Sequence, residues 1–133
     1  MVKMSKEVMD IFNDTEASKV MATVDEKGVL NVAPIGTLSA IDEETIAFAE
    51  VFGGKTKENL EKTKKAAATA FKMPFEGYQI KGTFVGFQTS GALFDKMNKA
   101  VKETLGKDIK RVGTIKVEAV YSVARPEPGK KLA

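Results

Sequence analysis

Apolar residues along the chain switch between two spacings, and the switches mark out its elements. Met4, Val8, Ile11, Phe12 and Thr15 recur at helical spacing behind Ser5, a residue suited to an N-cap, which predicts a short amphipathic helix lying on the core. Lys19 to Val24 and Val29 to Ile35 read as β-runs separated by Asp25-Glu26-Lys27-Gly28, whose glycine supports a tight hairpin. Pro34 cannot donate to a ladder, so it marks a strand end, a bulge or an edge. A third strand is expected around Thr45 to Ala49, leading through Gly53-Gly54 into a lysine-rich helix near Lys55 to Lys65. Ala66 to Lys72 reads as a strand whose alanines suit close packing. The run from Tyr78 to Thr89 is extended, with Gly82 and Gly86 placed for bends or bulges.

Phe94, Met97, Val101 and Leu105 share one helical face, expected to be core, and Gly106 stands where a C-terminal cap belongs. In the last strand Ile115, Val117, Ala119, Tyr121 and Val123 alternate with Lys116, Glu118, Val120 and Ser122, the period of a sheet with one buried face. Arg125-Pro126-Glu127-Pro128-Gly129 then ends regular structure ahead of a short polar tail. The expected fold is therefore mainly β, a six-stranded antiparallel barrel with peripheral helices. A doubly wound parallel sheet fits less well, because the turn between the first two strands is too short for a crossover.

At 133 residues, with 43% apolar and 29% charged positions, a single folded domain over residues 1–133 is expected. The balance of 21 basic to 18 acidic residues is mild, and only Arg111 and Arg125 can make forked contacts, so nucleic-acid binding is disfavoured. Cysteine and histidine are both absent, which removes disulfides, thiolate nucleophiles, histidine bases and nearly every structural zinc site. Any chemistry is then expected from a cofactor, with no side chain required as catalytic acid or base. The first residues lack the apolar core of a signal peptide, and no apolar run is long enough to span a bilayer. A cytoplasmic protein without membrane contact is expected.

Gly53-Gly54-Lys55-Thr56-Lys57-Glu58-Asn59-Leu60 follows an apolar strand and opens a helix. Free first-turn N–H groups, the macrodipole, an ammonium and a hydroxyl together complement a phosphate, so Lys55 and Thr56 are read as an anion clamp. A helix with Lys55, Lys57, Lys62, Lys64 and Lys65 is otherwise most often a solvated face. Gly-Lys-Thr here is not a Walker motif, since the earlier glycine is replaced by Ala49, and nucleotide hydrolysis is disfavoured.

Lys19-Val20-Met21-Ala22-Thr23-Val24, Asn31-Val32-Ala33-Pro34-Ile35-Gly36, Thr45-Ile46-Ala47-Phe48-Ala49, Lys55-Thr56-Lys57-Glu58-Asn59-Leu60 and Tyr78-Gln79-Ile80-Lys81-Gly82 stand in an order and spacing that resembles the FMN-binding split-barrel family. That family includes pyridoxamine-phosphate-oxidase-like proteins and small FMN-binding proteins. The resemblance runs from about Lys19 to Val123 and implies a split barrel forming a homodimer, with FMN at the interface between both chains. It implies that Asn31, Val32, Ala33, Pro34, Ile35 and Gly36 run beside the flavin, that Phe48, Ala49 and Glu50 lie near the ring, that Lys55 and Thr56 hold the phosphate, and that Gln79 touches the cofactor. Asn59 recurs in the motif and either meets the cofactor or locks the loop by bonding to backbone. Tyr78 and Tyr121 either stack on a flavin or fill the interface.

Two departures matter. Pyridoxamine phosphate oxidases carry a C-terminal basic and aromatic segment for the substrate phosphate, whereas this chain runs Arg125-Pro126-Glu127-Pro128-Gly129-Lys130-Lys131-Leu132-Ala133. Position 54 is glycine rather than the arginine common in those oxidases. The small FMN-binding proteins are thus the closer comparison. The resemblance implies an oxidoreductase or electron carrier, and its alternative is a non-catalytic flavin- or deazaflavin-binding module. Haem chemistry is disfavoured because no histidine can serve as an axial ligand.

Overall fold

The computed structural model describes residues 2–51, 54–74, 76–124 and 126–133, so the expectations placed on Gly53 and Arg125 lie outside the described residues. Along the chain come α1 (Lys6–Phe12), β1 (Ser18–Val24), β2 (Leu30–Pro34), β3 (Ser39–Asp42), β4 (Thr45–Glu50), α2 (Lys55–Thr63), β5 (Lys65–Lys72), β6 (Glu76–Gln88), α3 (Ala92–Leu105) and β7 (Arg111–Ser122). The strands form one antiparallel sheet in the order β2-β1-β5-β6-β7-β4-β3. The mainly β, three-helix composition is as expected, but among the described residues the strands number seven rather than six. The additional strand, β3, has four residues and a register break between Ala40 and Asp42, too short for a period of two to show in the sequence. No ladder joins the edge strands β2 and β3, so the sheet curls without closing.

Inside the curl lies a core of Met21, Ile46, Phe48, Ile80, Phe84, Ile115, Val117 and Val120, completed by Val8, Ile11 and Phe12 of α1 and by Leu60 of α2. The Ser5 hydroxyl caps α1 by accepting the Val8 N–H at 3.4 Å. The helix α2 is fixed to β1 by more than Leu60. Buried Asn59 donates to the Thr23 hydroxyl at 3.1 Å, and the Thr63 hydroxyl donates to the Val24 carbonyl at 2.9 Å. Behind β4, Ala47 and Ala49 meet Val101, Ile109 and Val112, with Phe94 and Met97 of α3 packed alongside. Leu105, expected on that buried face, is instead 54% exposed, because α3 ends there at Gly106 (φ +70°).

Two bulges interrupt the β6–β7 ladder, at the positions flagged by Gly82 and Gly86. Lys81 faces Ala119 and Gly82 faces Val117, leaving Glu118 as the extra residue. The bulge reverses the phase of β7. Ile115 and Val117 point inward as expected, but beyond them Val120 is buried while Ala119 and Tyr121 turn outward, contrary to the uniform alternation read from the sequence. A Cβ on residue 82 would collide with the Lys116 carbonyl oxygen, so only glycine fits. The polar tail folds back on β7: the Val120 and Ser122 amides donate to the Ala133 and Lys130 carbonyls at 3.0 and 2.8 Å.

Gly82→Ala forces a methyl group onto backbone that cannot yield, and is expected to cost about 1–3 kcal/mol in urea unfolding. Gly36→Ala, with open space around the added carbon, is expected to stay within about 0.5 kcal/mol of the parent. Asn59→Ala leaves the Thr23 hydroxyl without its partner and is expected to cost about 1–3 kcal/mol with no ligand present, measurable in the same unfolding assay.

Candidate cofactor site

β1 and β2 pair so that Thr23 stands opposite Asn31, and both look toward α2. Asn59 holds the rotational setting of that helix through Thr23. Thr56, three residues earlier on the same helical face, then meets Asn31, whose side-chain amide donates to the Thr56 hydroxyl at 3.2 Å. Lys55 is the first residue of α2, half exposed, with its Nζ 3.5 Å from the Glu58 carboxylate. An exposed pair of this kind holds its partners weakly. Gly54 precedes it at φ +126° and offers no side-chain cap, and among the described residues no carbonyl accepts the amides of Lys55, Thr56 and Lys57. An ammonium, a hydroxyl and amides without an acceptor among the described residues therefore lie at one helix end, a donor set matched to an anion. The β1–β2 hairpin lies nearby. There the Asp25 carboxyl is held below its usual range, first by the Val29 N–H and further by Lys27 and the Lys55 charge.

The remaining predicted positions divide over several faces. Asn31 and Ala33 are half-buried, whereas Val32 and Pro34 point outward on the other side of β2. Ile35 and Gly36 lie in the link from β2 to β3, which is tied down twice. Buried Lys19 donates to the Leu38 carbonyl at 3.0 Å and accepts the Ile35 N–H on its own carbonyl. The Thr37 hydroxyl accepts the Ala49 N–H at 2.9 Å and donates to the Ala49 carbonyl at 3.2 Å. This latch joins the 31–36 segment to the 48–50 segment. Burial pushes the Lys19 ammonium pKa down, with Asp14 opposing.

Phe48 is buried, its ring edge-on to Phe87 at 6.2 Å and seated against Gly113. Ala49 packs on the α3 side, and buried Glu50 faces Arg111 across the β4–β7 ladder at 2.7 Å. That contact is one of charge, since the Arg111 Nε–H is not aligned on the carboxylate oxygen. Gln79 is not brought to this group within one chain. It lies on β6, three strands from β2, beside Thr69 at 3.5 Å and opposite Tyr121. Tyr78 instead packs on the core and reaches Glu7 of α1 at 3.5 Å. Among the described residues the Asn59 side chain bonds to the Thr23 hydroxyl and to no backbone group.

Sequence reasoning assigned no site role to Lys19, Thr37, Thr23 and Arg111, whose roles depend on partners 19, 12, 36 and 61 positions away and carry no local signal. Two surface hollows of about 330 and 320 Å³ lie elsewhere, one by Phe71, Met73 and Val123, the other by Glu7, Asp14 and Tyr78; no residue of α2 lines either. Among the described residues no acidic cluster suits a metal, and no helix is long and apolar enough to cross a membrane.

No curated protein sequence matches the chain. Among solved structures it is similar to HupZ of Group A Streptococcus, at 27% identity over 96% of this chain and 99% of that one, with a TM-score of 0.81. It is also similar to an FMN-binding protein from Syntrophomonas wolfei, at 22% identity over 92% and 87% of the two chains, with a TM-score of 0.84. A pyridoxamine 5'-phosphate oxidase-like protein from Lactobacillus delbrueckii is 21% identical over 91% and 95%, with a TM-score of 0.73. The last two likenesses concern the fold. The family model for pyridoxamine 5'-phosphate oxidase matches residues 4–127, which include all seven strands and all three helices, and the chain belongs to that family.

Proposed function

We propose that the chain binds FMN with its phosphate at the start of α2, between two copies of itself, and serves as a flavin-dependent oxidoreductase or electron carrier. The observation that carries this reading is that Lys55, the Thr56 hydroxyl and the amides of residues 55–57, which have no acceptor among the described residues, lie together beside Asn31. When bound, the flavin supplies the redox chemistry. The protein's residues bind and orient it. Lys55 and the amides hold the phosphate, the 35–37 link is kept fixed by its latch to buried Ala49, and Gln79 belongs to the part of the site added by a second copy.

The second copy is supported by the outer face of the sheet. Leu30, Val32 and Pro34 of β2 pair with Val24, Ala22 and Val20 of β1, and Ala67 of β5 continues the row. Leu30 and Val32 are 77% and 65% exposed in the single chain, an apolar patch of the kind that marks an interface. Two-fold pairing is the commonest way to cover one.

FMN at one hundred times its dissociation constant is expected to stabilise the fold by about 2.7 kcal/mol, read as a shift of the melting curve. A colourless preparation with an unshifted melt overturns the flavin reading. Lys55→Ala is expected to weaken FMN roughly tenfold to a hundredfold in titration while barely changing riboflavin, which lacks the phosphate. Lys64→Ala, at the far end of α2, is expected to leave both ligands unchanged, because the dipole and free amides act only in the first turn. Light scattering is expected to give twice the chain mass of 14.4 kDa, and the double substitution Leu30→Asp/Val32→Asp to return it to the single-chain value with the far-UV spectrum intact.

A further inference from the structure

The Asn31–Thr56 hydrogen bond does more than tie β2 to α2. A threonine hydroxyl has one proton to give and two lone pairs to offer. The Asn31 amide occupies one lone pair at 3.2 Å, so the hydroxyl proton is turned away from Asn31, and among the described residues no acceptor takes it. Among the described residues it is thus available to an acceptor at the helix end, beside the Lys55, Thr56 and Lys57 amides. The arrangement is held from beneath, since Thr23, opposite Asn31 in the ladder, receives the buried Asn59 amide and so fixes the rotation of α2 that carries Thr56 to Asn31.

We propose that Asn31 is a positioning residue that sets Thr56 as a hydrogen-bond donor and thereby selects phosphorylated over unphosphorylated flavin. The proposal rests on the FMN reading above and goes beyond it by giving Asn31 an indirect role through Thr56 in place of contact with the flavin ring. Asparagine suits this because its amide donates. Aspartate at the same place only accepts, so it captures the Thr56 proton and points it away from the phosphate.

The test is a double-substitution cycle titrated with both FMN and riboflavin, on the parent chain, Asn31→Ala, Thr56→Val and the pair together. Asn31→Ala is expected to weaken FMN by roughly fivefold to tenfold, the scale of one oriented hydrogen bond, and to leave riboflavin within about twofold. In the Thr56→Val background, where there is no hydroxyl to orient, Asn31→Ala is expected to change neither ligand. Thr56→Ser, which keeps the hydroxyl, is expected to restore the dependence on Asn31. The isosteric Asn31→Asp is expected to weaken FMN more than Asn31→Ala, and it carries the test if the alanine variant melts below the assay temperature. Equal losses for FMN and riboflavin, or an Asn31 effect that persists without the Thr56 hydroxyl, overturn this inference and leave the FMN reading standing. A parent chain that binds neither ligand overturns both.

Discussion

The link between β2 and β3 is four residues long, yet it connects the two opposite edges of a seven-stranded sheet. Laid flat, six strand spacings measure about 29 Å at roughly 4.8 Å each. The five steps from Pro34 to Ser39 reach at most about 18 Å even when fully extended. The sheet therefore has to curl until its edges approach, and the core forms inside that curl. The bulges at Glu118 and Val85 supply the added twist, with Gly82 allowing the β6 backbone to press against β7.

Curling also brings the candidate site together. Because the link must cross from edge to edge, its start lies by β1, where Lys19 holds Ile35 and Leu38, and its end lies by β4, where Thr37 latches onto Ala49. Burying an ammonium to make one of these ties works against the charged form, as the lowered Lys19 pKa shows. The start of α2 lies next to Asn31 of β2. Lys55 and Thr56 owe their placing to the packing of α2 through Asn59, Leu60 and Thr63 more than to the lysine-rich character of the helix.

One cause underlies both the apolar outer face and the separation of Gln79 from the helix end. A small curled sheet has an inside filled by side chains, so the proposed site falls to its outer surface and rim. Residues that alternate along a strand are then split between core and surface. The predicted run from Asn31 to Gly36 divides in this way: Asn31 faces α2, Val32 and Pro34 face outward, and Ile35 and Gly36 enter the link.

The sequence by itself determined what depends on short-range chemistry. The Ser5 cap, the hairpin at Gly28, the α2 start, the α3 stop at Gly106 and the bulge positions at Gly82 and Gly86 were all legible, because a turn or a cap is decided within a few residues. Periodicity likewise marked the long strands, and the ordered segments pointed to the family. Tertiary structure alone decided the seventh strand, the phase reversal in β7, the exposure of Leu105, and the partners of Asn31, Thr37, Lys19 and Arg111. Each of these depends on which distant strand lies alongside, and a period of two shows that a residue has a buried side without showing what it will meet there.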